Sequence, residues 1–158
     1  MVDLLEIDSK PYGKVKVSVD QKIHFSEGLL GFDNNKDFFL LDENEGPFYW
    51  LQSTNETDIA FVIINPQYFK ADYTLEIDSQ DFVDIGLKSE EDIDKHLLQF
   101  AIVTIPPDDP NNMTANLLGP IIINKESRIG KQALSLNNEY SVRHNIIDEL
   151  GKSSGEGE

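Results

Sequence analysis

The stretch at residues 14–19, KVKVSV, alternates strictly between polar and apolar residues, so its valines share one face of an extended chain. Residues 22–25, KIHF, continue this period of two, and Asp20-Gln21 between the two stretches predicts a bend or a bulge. A period of two is that of a β-strand with one face against a core. Two half-buried strands are therefore predicted near the start of the chain.

Further strands are predicted outward from this pair. They are short apolar runs, rich in aromatic and β-branched residues, at 38–41, 48–53, 59–64, 97–105 and 120–123. In the second run, Phe48 and Trp50 face one way while Tyr49 and Leu51 face the other, so we expect both faces to be covered. Pro66 and the pair Pro106-Pro107 end the strands that they follow.

Helix is scarce in this pattern. Ser79 is predicted to cap a short helix that ends at Gly86, Ser89 a second one to about Lys95, and residues 146–150 form a last turn. Short strands without strand–helix alternation predict a mostly β, single-domain, antiparallel β-barrel-like fold with a few short helices over residues 1–150. Residues 151–158, which are Gly, Ser, Glu and one Lys, are predicted to be a disordered tail.

The composition is strongly acidic. The 158 residues contain 29 Asp plus Glu against 13 Lys plus Arg, a formal net charge of −16. Because nucleic-acid binding needs cations that displace counterions, we expect no direct binding to DNA or RNA. The chain has no cysteine, and neither a secretion signal nor a membrane span is visible, so a cytoplasmic protein is expected.

Enzyme signatures are missing from the sequence. It has no Gly-rich phosphate loop and no Gly-x-Ser-x-Gly, and its three histidines lack the paired spacing of a zinc site. Carboxylates are abundant, but none is singled out as a pair for acid–base chemistry. We therefore expect no catalytic residues, no metal and no cofactor, and predict that the chain is not an enzyme.

Two stretches remain as candidate binding sites. Residues 42–94 hold fourteen acidic and two basic side chains, which predicts either solvated loops or an acidic patch. Residues 111–120, NNMTANLLGP, place amides and one Met directly before a strong strand. An Asn can satisfy backbone groups in a tight turn, and Met is an adaptable contact residue, so both an ordered turn and a binding loop stay open.

Seven short stretches, taken in order, resemble the FliW family of bacterial flagellar assembly factors. They are 25–32 (FSEGLLGF), 48–53 (FYWLQS), 60–66 (AFVIINP), 103–106 (VTIP), 112–124 (NMTANLLGPIIIN), 130–132 (GKQ) and 140–144 (YSVRH). Their order and spacing carry the resemblance, which runs from about residue 1 to residue 145. Ser26 and Leu30 depart from it, because the family is expected to have prolines there.

The resemblance implies a small cytosolic β-barrel that binds flagellin before export. It also implies that the protein, when free of flagellin, captures CsrA, an RNA-binding repressor of flagellin translation, and relieves repression. Within the acidic stretch, the side chains expected to act on CsrA are Asp72, Glu76 and Asp78. Those expected to contact flagellin are Asn112, Met113, Thr114 and Asn116. The alternatives are an acidic barrel that binds a small ligand in its mouth, and a flagellin chaperone without a translational role.

Overall fold

The computed structural model describes residues 4–29, 31–32, 34–42 and 47–155, with the backbone alone for residues 152–155. Within these residues the strands are β1 Leu4–Ser9, β2 Gly13–Ser18, β3 Lys22–Phe25, β4 Asp37–Asp42, β5 Phe48–Ser53, β6 Ala60–Ile64, β7 Leu97–Thr104, β8 Thr114–Ala115, β9 Ile121–Asn124, β10 Ile129–Gln132 and β11 His144–Asn145. The helices are α1 Ser79–Asp84, α2 Glu90–His96 and α3 Ile146–Gly155. The prediction of a mostly β domain is confirmed.

Seven strands of the described chain close into a barrel in the order β7-β6-β5-β4-β3-β10-β9, and β9 pairs back onto β7. β7 can close the circle because it is long: one edge holds β6, and the other holds β9 at residues 97–100 and β8 at residues 103–104. These pairings are antiparallel except where β3 and β10 run parallel. β11 extends the sheet beyond β8, and β1 and β2 form a separate hairpin. The predicted antiparallel barrel is confirmed, with one parallel seam added.

The interior of the barrel is filled by side chains. On β5, Tyr49 and Leu51 lie inside, while Phe48 and Trp50 pack against the outside, as the period of two predicted. The buried apolar residues that fill the interior are Ile23, Phe25, Leu29, Phe38, Leu51, Ile63, Phe100, Ile121 and Ile123. A core packed in this way leaves no room for a ligand along the barrel axis.

Three further clusters cover the outside of the barrel. The β1–β2 hairpin lies over β4, the stretch after β6 lies with α3 over β6 and β7, and α1 and α2 lie over β9 and β10. In the hairpin cluster, Val17 packs with Phe39 and Leu41. In the cluster over β6 and β7, Ile64 and Val103 are covered by Phe69, Tyr73, Tyr140 and Ile146. In the cluster over β9 and β10, Ile122 is covered by Ile77, Ile85 and Leu87. The barrel is therefore a scaffold on which loops and helices are held.

The parallel seam depends on a glycine. Gly130 of β10 lies opposite Phe25 of β3, and a Cβ at residue 130 would be 2.6 Å from Cε2 of the Phe25 ring. Phe25 is fully buried, and its ring packs edge-on against Phe38 at a centroid distance of 5.6 Å, so it has no space to move aside. Gly130 is therefore required for close packing at this seam.

The helix caps agree with the sequence in one case and differ in the other. Ser89 caps α2 as predicted, with its hydroxyl accepting a hydrogen bond from the Asp92 amide at 3.1 Å. The assignment of Ser79 as the cap of α1 is wrong, because Asp78 caps it and accepts from the Gln80 amide at 2.9 Å. An Asp carboxylate caps a helix as well as a Ser hydroxyl does, and its negative charge is also stabilised by the helix dipole. The sequence therefore offered two adjacent N-cap candidates for α1, Asp78 and Ser79.

The last helix is longer than the sequence indicates. α3 begins at Ile146 as predicted but continues to Gly155, so residues 151–155 are helical where a disordered tail was expected. Its start is anchored by buried Ile146 and by Glu149, whose carboxylate lies 3.2 Å from Nζ of Lys70. An anchored first turn lets weak helix formers extend a helix that they would not start. Residues 156–158 lie outside the described residues, and there the tail stays a prediction.

Candidate functional site

Each of the three histidines has a different partner in the structure. Nδ1 of His24 lies 2.8 Å from Asp37, and Nε2 of His96 lies 3.2 Å from Glu126. Nε2 of His144 accepts a hydrogen bond from the Ser141 amide at 2.9 Å. Among the described residues, no three His, Asp or Glu side chains are grouped to hold a metal ion, and no helix there has the length and apolar character to cross a bilayer.

A surface cleft at one end of the barrel is the place where a small ligand would enter. Its volume is about 480 Å³, and Leu98 and Phe100 reach it from the barrel interior. Among its lining residues the ionisable side chains are Tyr49 and Asp94, and the other polar ones are amides. Ligand sites usually bring several polar groups together in a deep pocket, so this cleft gives weak support to the small-ligand alternative.

The three acidic candidates lie on one stretch of chain, and we call Asp72, Glu76 and Asp78 the acidic edge. Buried Tyr73 and Ile77 alternate with them, which fixes the stretch to the barrel while the three carboxylates stay exposed. Oδ1 of Asp72 is 3.3 Å from Nζ of Lys70. Glu76 and Asp78 have no cation within 4 Å among the described residues. The three carboxylates are therefore exposed along one stretch of chain, and their role in binding a partner stays a prediction.

The charge environment around this stretch is shaped by one largely buried ion pair, Lys70–Glu149, and by the exposed pair Lys70–Asp72. Burial disfavours the charged form of Lys70, but its hydrogen bond to Glu149, helped by Asp72, raises its pKa overall. Burial raises the pKa of the Tyr73 hydroxyl, and nearby Tyr140 and Glu76 add to that effect. Lys70 is thus held in the fold by carboxylates and is not free to neutralise the acidic edge as a whole.

A second lysine fixes α1 to the barrel. Nζ of Lys131 on β10 lies 2.7 Å from Asp81 and 2.7 Å from Asp84. Hydrogen bonds to Asp81 first, and then to Asp84, raise the pKa of Lys131. The same contact with Lys131, with Gln80 adding a second hydrogen bond, lowers the pKa of the Asp84 carboxyl. This explains the Lys in the 130–132 stretch quoted above: it is a structural tie between β10 and α1.

The four candidates in the loop before β9 are engaged within the fold. Oδ1 of Asn116 accepts hydrogen bonds from the amides of Leu118 at 3.0 Å and Gly119 at 2.8 Å, the contacts of an ordered turn. Oδ1 of Asn112 accepts from Nδ2 of Asn145 at 2.6 Å. These contacts favour the structural interpretation that the sequence left open, while a binding role for the loop stays a prediction.

The other two loop candidates are also held in place. Thr114 lies on β8, paired with Thr104 of β7 and Asn145 of β11. Met113 is half-buried and packs on the cluster over β6 and β7. A charge introduced at Met113 would be placed against that cluster and would destabilise the fold.

A stretch that the sequence analysis did not single out joins the two candidate groups. We call residues 133–136 the outer strip. On one side its Ser135 amide donates to the carbonyl of Leu118 at 2.8 Å, and on the other its Leu136 amide donates to the carbonyl of Glu76 at 2.7 Å. The outer strip therefore lies between the acidic edge and the loop at Leu118, which precedes β9.

The outer strip shows its apolar side chains to solvent. Leu134 and Leu136 are 62% and 63% exposed, while Ala133 and Ser135, which alternate with them, are buried. Val142, which is 52% exposed, follows Ser141, whose carbonyl accepts from the amides of Leu117 and Leu118. The alternation Ala-Leu-Ser-Leu was a visible signal for an extended strip, but it suggests buried leucines, the reverse of what is found.

The fold and the surface together define a class: a small filled β-barrel that encloses no ligand along its axis and presents an acidic, partly apolar outer layer. Comparison with known proteins identifies the family within that class. The family described as FliW protein matches residues 6–146, which is most of the chain. The chain belongs to the FliW family.

Individual relatives agree with this assignment. The flagellar assembly factor FliW of Leptospira interrogans serovar Lai is 47% identical over 152 residues, covering 96% of this chain and 99% of the relative. The protein of the same name from Thermoanaerobacter pseudethanolicus is 43% identical over 148 residues, covering 92% and 95%. A crystal structure of the flagellar assembly factor FliW superposes with a TM-score of 0.79 at 29% identity, covering 90% of this chain and 96% of that one.

Proposed function

We propose that this chain is a cytoplasmic flagellar assembly factor that binds flagellin and, when free of flagellin, binds the RNA-binding repressor CsrA and relieves repression of flagellin translation. The observation that carries the proposal is the 47% identity, over nearly the whole of both chains, to a protein named flagellar assembly factor. Flagellin and CsrA as the partners come from the family resemblance. The protein would then report the level of unexported flagellin.

The architecture supports a role in binding proteins. The barrel interior is occupied by its own side chains. Polar side chains such as Asn116 and Lys131 are engaged in a turn and in ion pairs of the fold. What the molecule offers to a partner is its exterior, with the acidic edge beside the exposed leucines of the outer strip. We accordingly propose a non-enzymatic adaptor that acts through surface contacts and binds no nucleic acid itself.

The acidic edge supplies a mechanism for relief of repression. A repressor that binds RNA must carry cations that meet the phosphates. Two unit charges about 8 Å apart repel by roughly 0.5 kcal/mol in water and about 2 kcal/mol at an effective dielectric of 20. Several carboxylates held near the RNA site of CsrA would therefore weaken RNA binding by orders of magnitude, even without covering that site.

A binding experiment with purified components tests the proposal. Purified protein is immobilised and exposed to flagellin, to CsrA, and to CsrA after saturation with flagellin. We expect capture of each partner alone and loss of CsrA capture after flagellin has bound. Capture of flagellin with no capture of CsrA would leave only the chaperone alternative. Capture of neither partner would contradict the proposal as a whole.

A further inference from the structure

The leucines of the outer strip are held rigidly and outward. Three backbone hydrogen bonds fix the strip: Ala133 N donates to Pro120 O, Ser135 N to Leu118 O, and Leu136 N to Glu76 O, at 2.7–2.8 Å. Because both flanking segments are anchored to the barrel, Leu134 and Leu136 keep their exposed positions without bending of the chain. Their exposure is thus a property of the fold.

The outer strip has a hydrogen-bonded neighbour on each side. The 117–120 segment continues the antiparallel pairing of β9 with β10, and the chain at Glu76 lies along the other side. In this pairing Leu118 lies opposite Ser135 and shares the buried face with it, so Leu134 and Leu136 are the exposed leucines of the strip. Two exposed leucines on a fixed strip offer apolar contact to a protein partner.

The charge along this surface is one-sided. Glu76 and Asp78 of the acidic edge flank Leu136, and the nearest cation of β10, Lys131, is already bound by Asp81 and Asp84. A partner that fits must therefore bring apolar side chains to the leucines and basic side chains to the flank of Glu76. A second copy of this chain does not fit, since each copy carries a net charge of −16.

We propose that the outer strip is the docking surface for an amphipathic segment of a cationic, RNA-binding protein partner. The apolar face of that segment covers Leu134 and Leu136, and its Lys or Arg side chains face Glu76 and Asp78. This inference rests on the proposed function and deepens it, because it assigns the contact with the repressor to a particular surface. Docking there also places the acidic edge next to the cationic surface of the partner.

Exchange of the leucines tests the apolar half of the inference. Leu134→Ser with Leu136→Ser should weaken the affinity for purified CsrA at least tenfold, measured by isothermal titration. The matched control is Leu4→Ser with Leu5→Ser, since Leu4 is 62% exposed and Leu5 42% exposed on the β1–β2 hairpin. The control should change the affinity less than twofold. Thermal melting of each variant verifies that it is folded.

The outcomes separate this inference from the proposed function. If the hairpin control weakens the affinity for CsrA as much as the strip variant does, the inference is overturned, because the effect would not depend on where the exposed leucines lie. If the wild-type protein binds CsrA and the strip variant binds it equally well, the surface is wrong and the proposed function stands. If the wild-type protein does not bind CsrA, both fail.

Neutralisation of the flank tests the basic half. Glu76→Gln with Asp78→Asn keeps a capping side chain on α1 and should weaken CsrA binding several-fold at about 50 mM salt. The loss should nearly vanish at about 0.5 M salt, where exposed charges are screened. An affinity that does not change at low salt would contradict the assignment of basic side chains to this flank.

Discussion

β3 and the outer strip have the same alternating pattern and the opposite burial. In β3, Ile23 and Phe25 are buried, while Lys22 and His24 are exposed. In the outer strip, Ala133 and Ser135 are buried, while Leu134 and Leu136 face solvent. A single register shift of the strip would exchange these two faces, so its register is what keeps the leucines outside.

This difference in burial distinguishes apolar side chains that stabilise the fold from apolar side chains that are exposed on its surface. The apolar side chains of β3 leave water on folding and contribute about 25 cal/mol per Å² of buried apolar area. The leucines of the outer strip contribute far less, since most of their area stays in water. Large apolar side chains that do little for stability are available for a partner, and the variants below test this contrast in order of decreasing effect on the free energy of unfolding.

The largest loss is expected in the barrel interior. Phe25→Ala removes a fully buried ring that contacts Phe38, and it should lower the free energy of unfolding by about 3–5 kcal/mol. Leu136→Ala should change it by less than about 0.5 kcal/mol, because that side chain is 63% exposed. Urea denaturation of both variants measures the contrast. Similar losses would mean that the outer strip is part of the core.

A smaller loss is expected at the parallel seam. Gly130→Ala places a Cβ within 2.6 Å of the Phe25 ring and should cost about 1–3 kcal/mol by overpacking. Gly151→Ala is the control, since it meets nothing within 4 Å in α3 and should raise stability slightly through helix propensity. Adding Phe25→Leu to Gly130→Ala should recover part of the seam loss. No coupling in this double-mutant cycle would refute the close-packing role of the glycine.

The tie between β10 and α1 should have an intermediate effect. Lys131→Met leaves Asp81, whose side chain is 15% exposed, without its cation and should cost about 1–2 kcal/mol. The control is Lys95→Met, which removes the surface pair with Glu91 and should cost less than about 0.5 kcal/mol. Thermal and urea unfolding compare the two. If both variants lose equally little free energy of unfolding, the Lys131 ion pairs stabilise the fold no more than an exposed surface pair does.

The pH dependence of that tie follows from the direction of each shift. The pKa of Asp84 is lowered from its ordinary value of 3.8 by Lys131 and Gln80, so its contribution is complete above that value and is lost as the pH falls through the lower folded pKa. The pKa of Lys131 is raised from 10.5, so its contribution is complete below that value and is lost as the pH rises further. The difference between wild type and Lys131→Met should be constant between about pH 5 and pH 10 and shrink outside that window.

The smallest effect on stability is expected at the acidic edge, with a large effect on function. Asp72→Asn, Glu76→Gln and Asp78→Asn together should shift the free energy of unfolding by no more than about 0.5 kcal/mol. The same variant should inhibit RNA binding by CsrA more weakly than wild type, measured by gel shift. A control with the same change in charge is Glu27→Gln, Asp108→Asn and Asp109→Asn, all at exposed positions. Equal inhibition by both triple variants would remove the acidic-edge mechanism.

The barrel strands were predictable where burial follows a local period. β3 and β5 have the predicted bounds, because the alternation in β3 and the aromatic-rich run in β5 carry the signal within the element itself. β1 was missed because adjacent Leu4 and Leu5 break the alternation. β10 was missed because Gly130 lowers strand preference, although that glycine is what the seam requires. A parallel pairing between residues about a hundred positions apart has no local signal at all.

The candidate site was predictable only in part. The exposure of the acidic edge was predictable, because charged side chains are mostly found on the surface, while its role as a binding site stays a prediction. The turn formed by Asn116 has a local signal, because its side chain accepts from amides two and three residues further on, whereas the packing of Met113 depends on neighbours distant in sequence. The outer strip was missed since its pattern alone does not say which face meets the barrel. That choice is made by hydrogen bonds to Glu76 and Leu118, which only the folded chain shows.

The most direct test of the account is a three-component titration of CsrA bound to labelled RNA. Increasing amounts of this protein should release the RNA, and flagellin added afterwards should restore RNA binding in proportion to the protein that it occupies. An RNA complex that persists at saturating protein, or a release that flagellin does not reverse, would contradict the claim that this acidic barrel exchanges one polypeptide partner for the other.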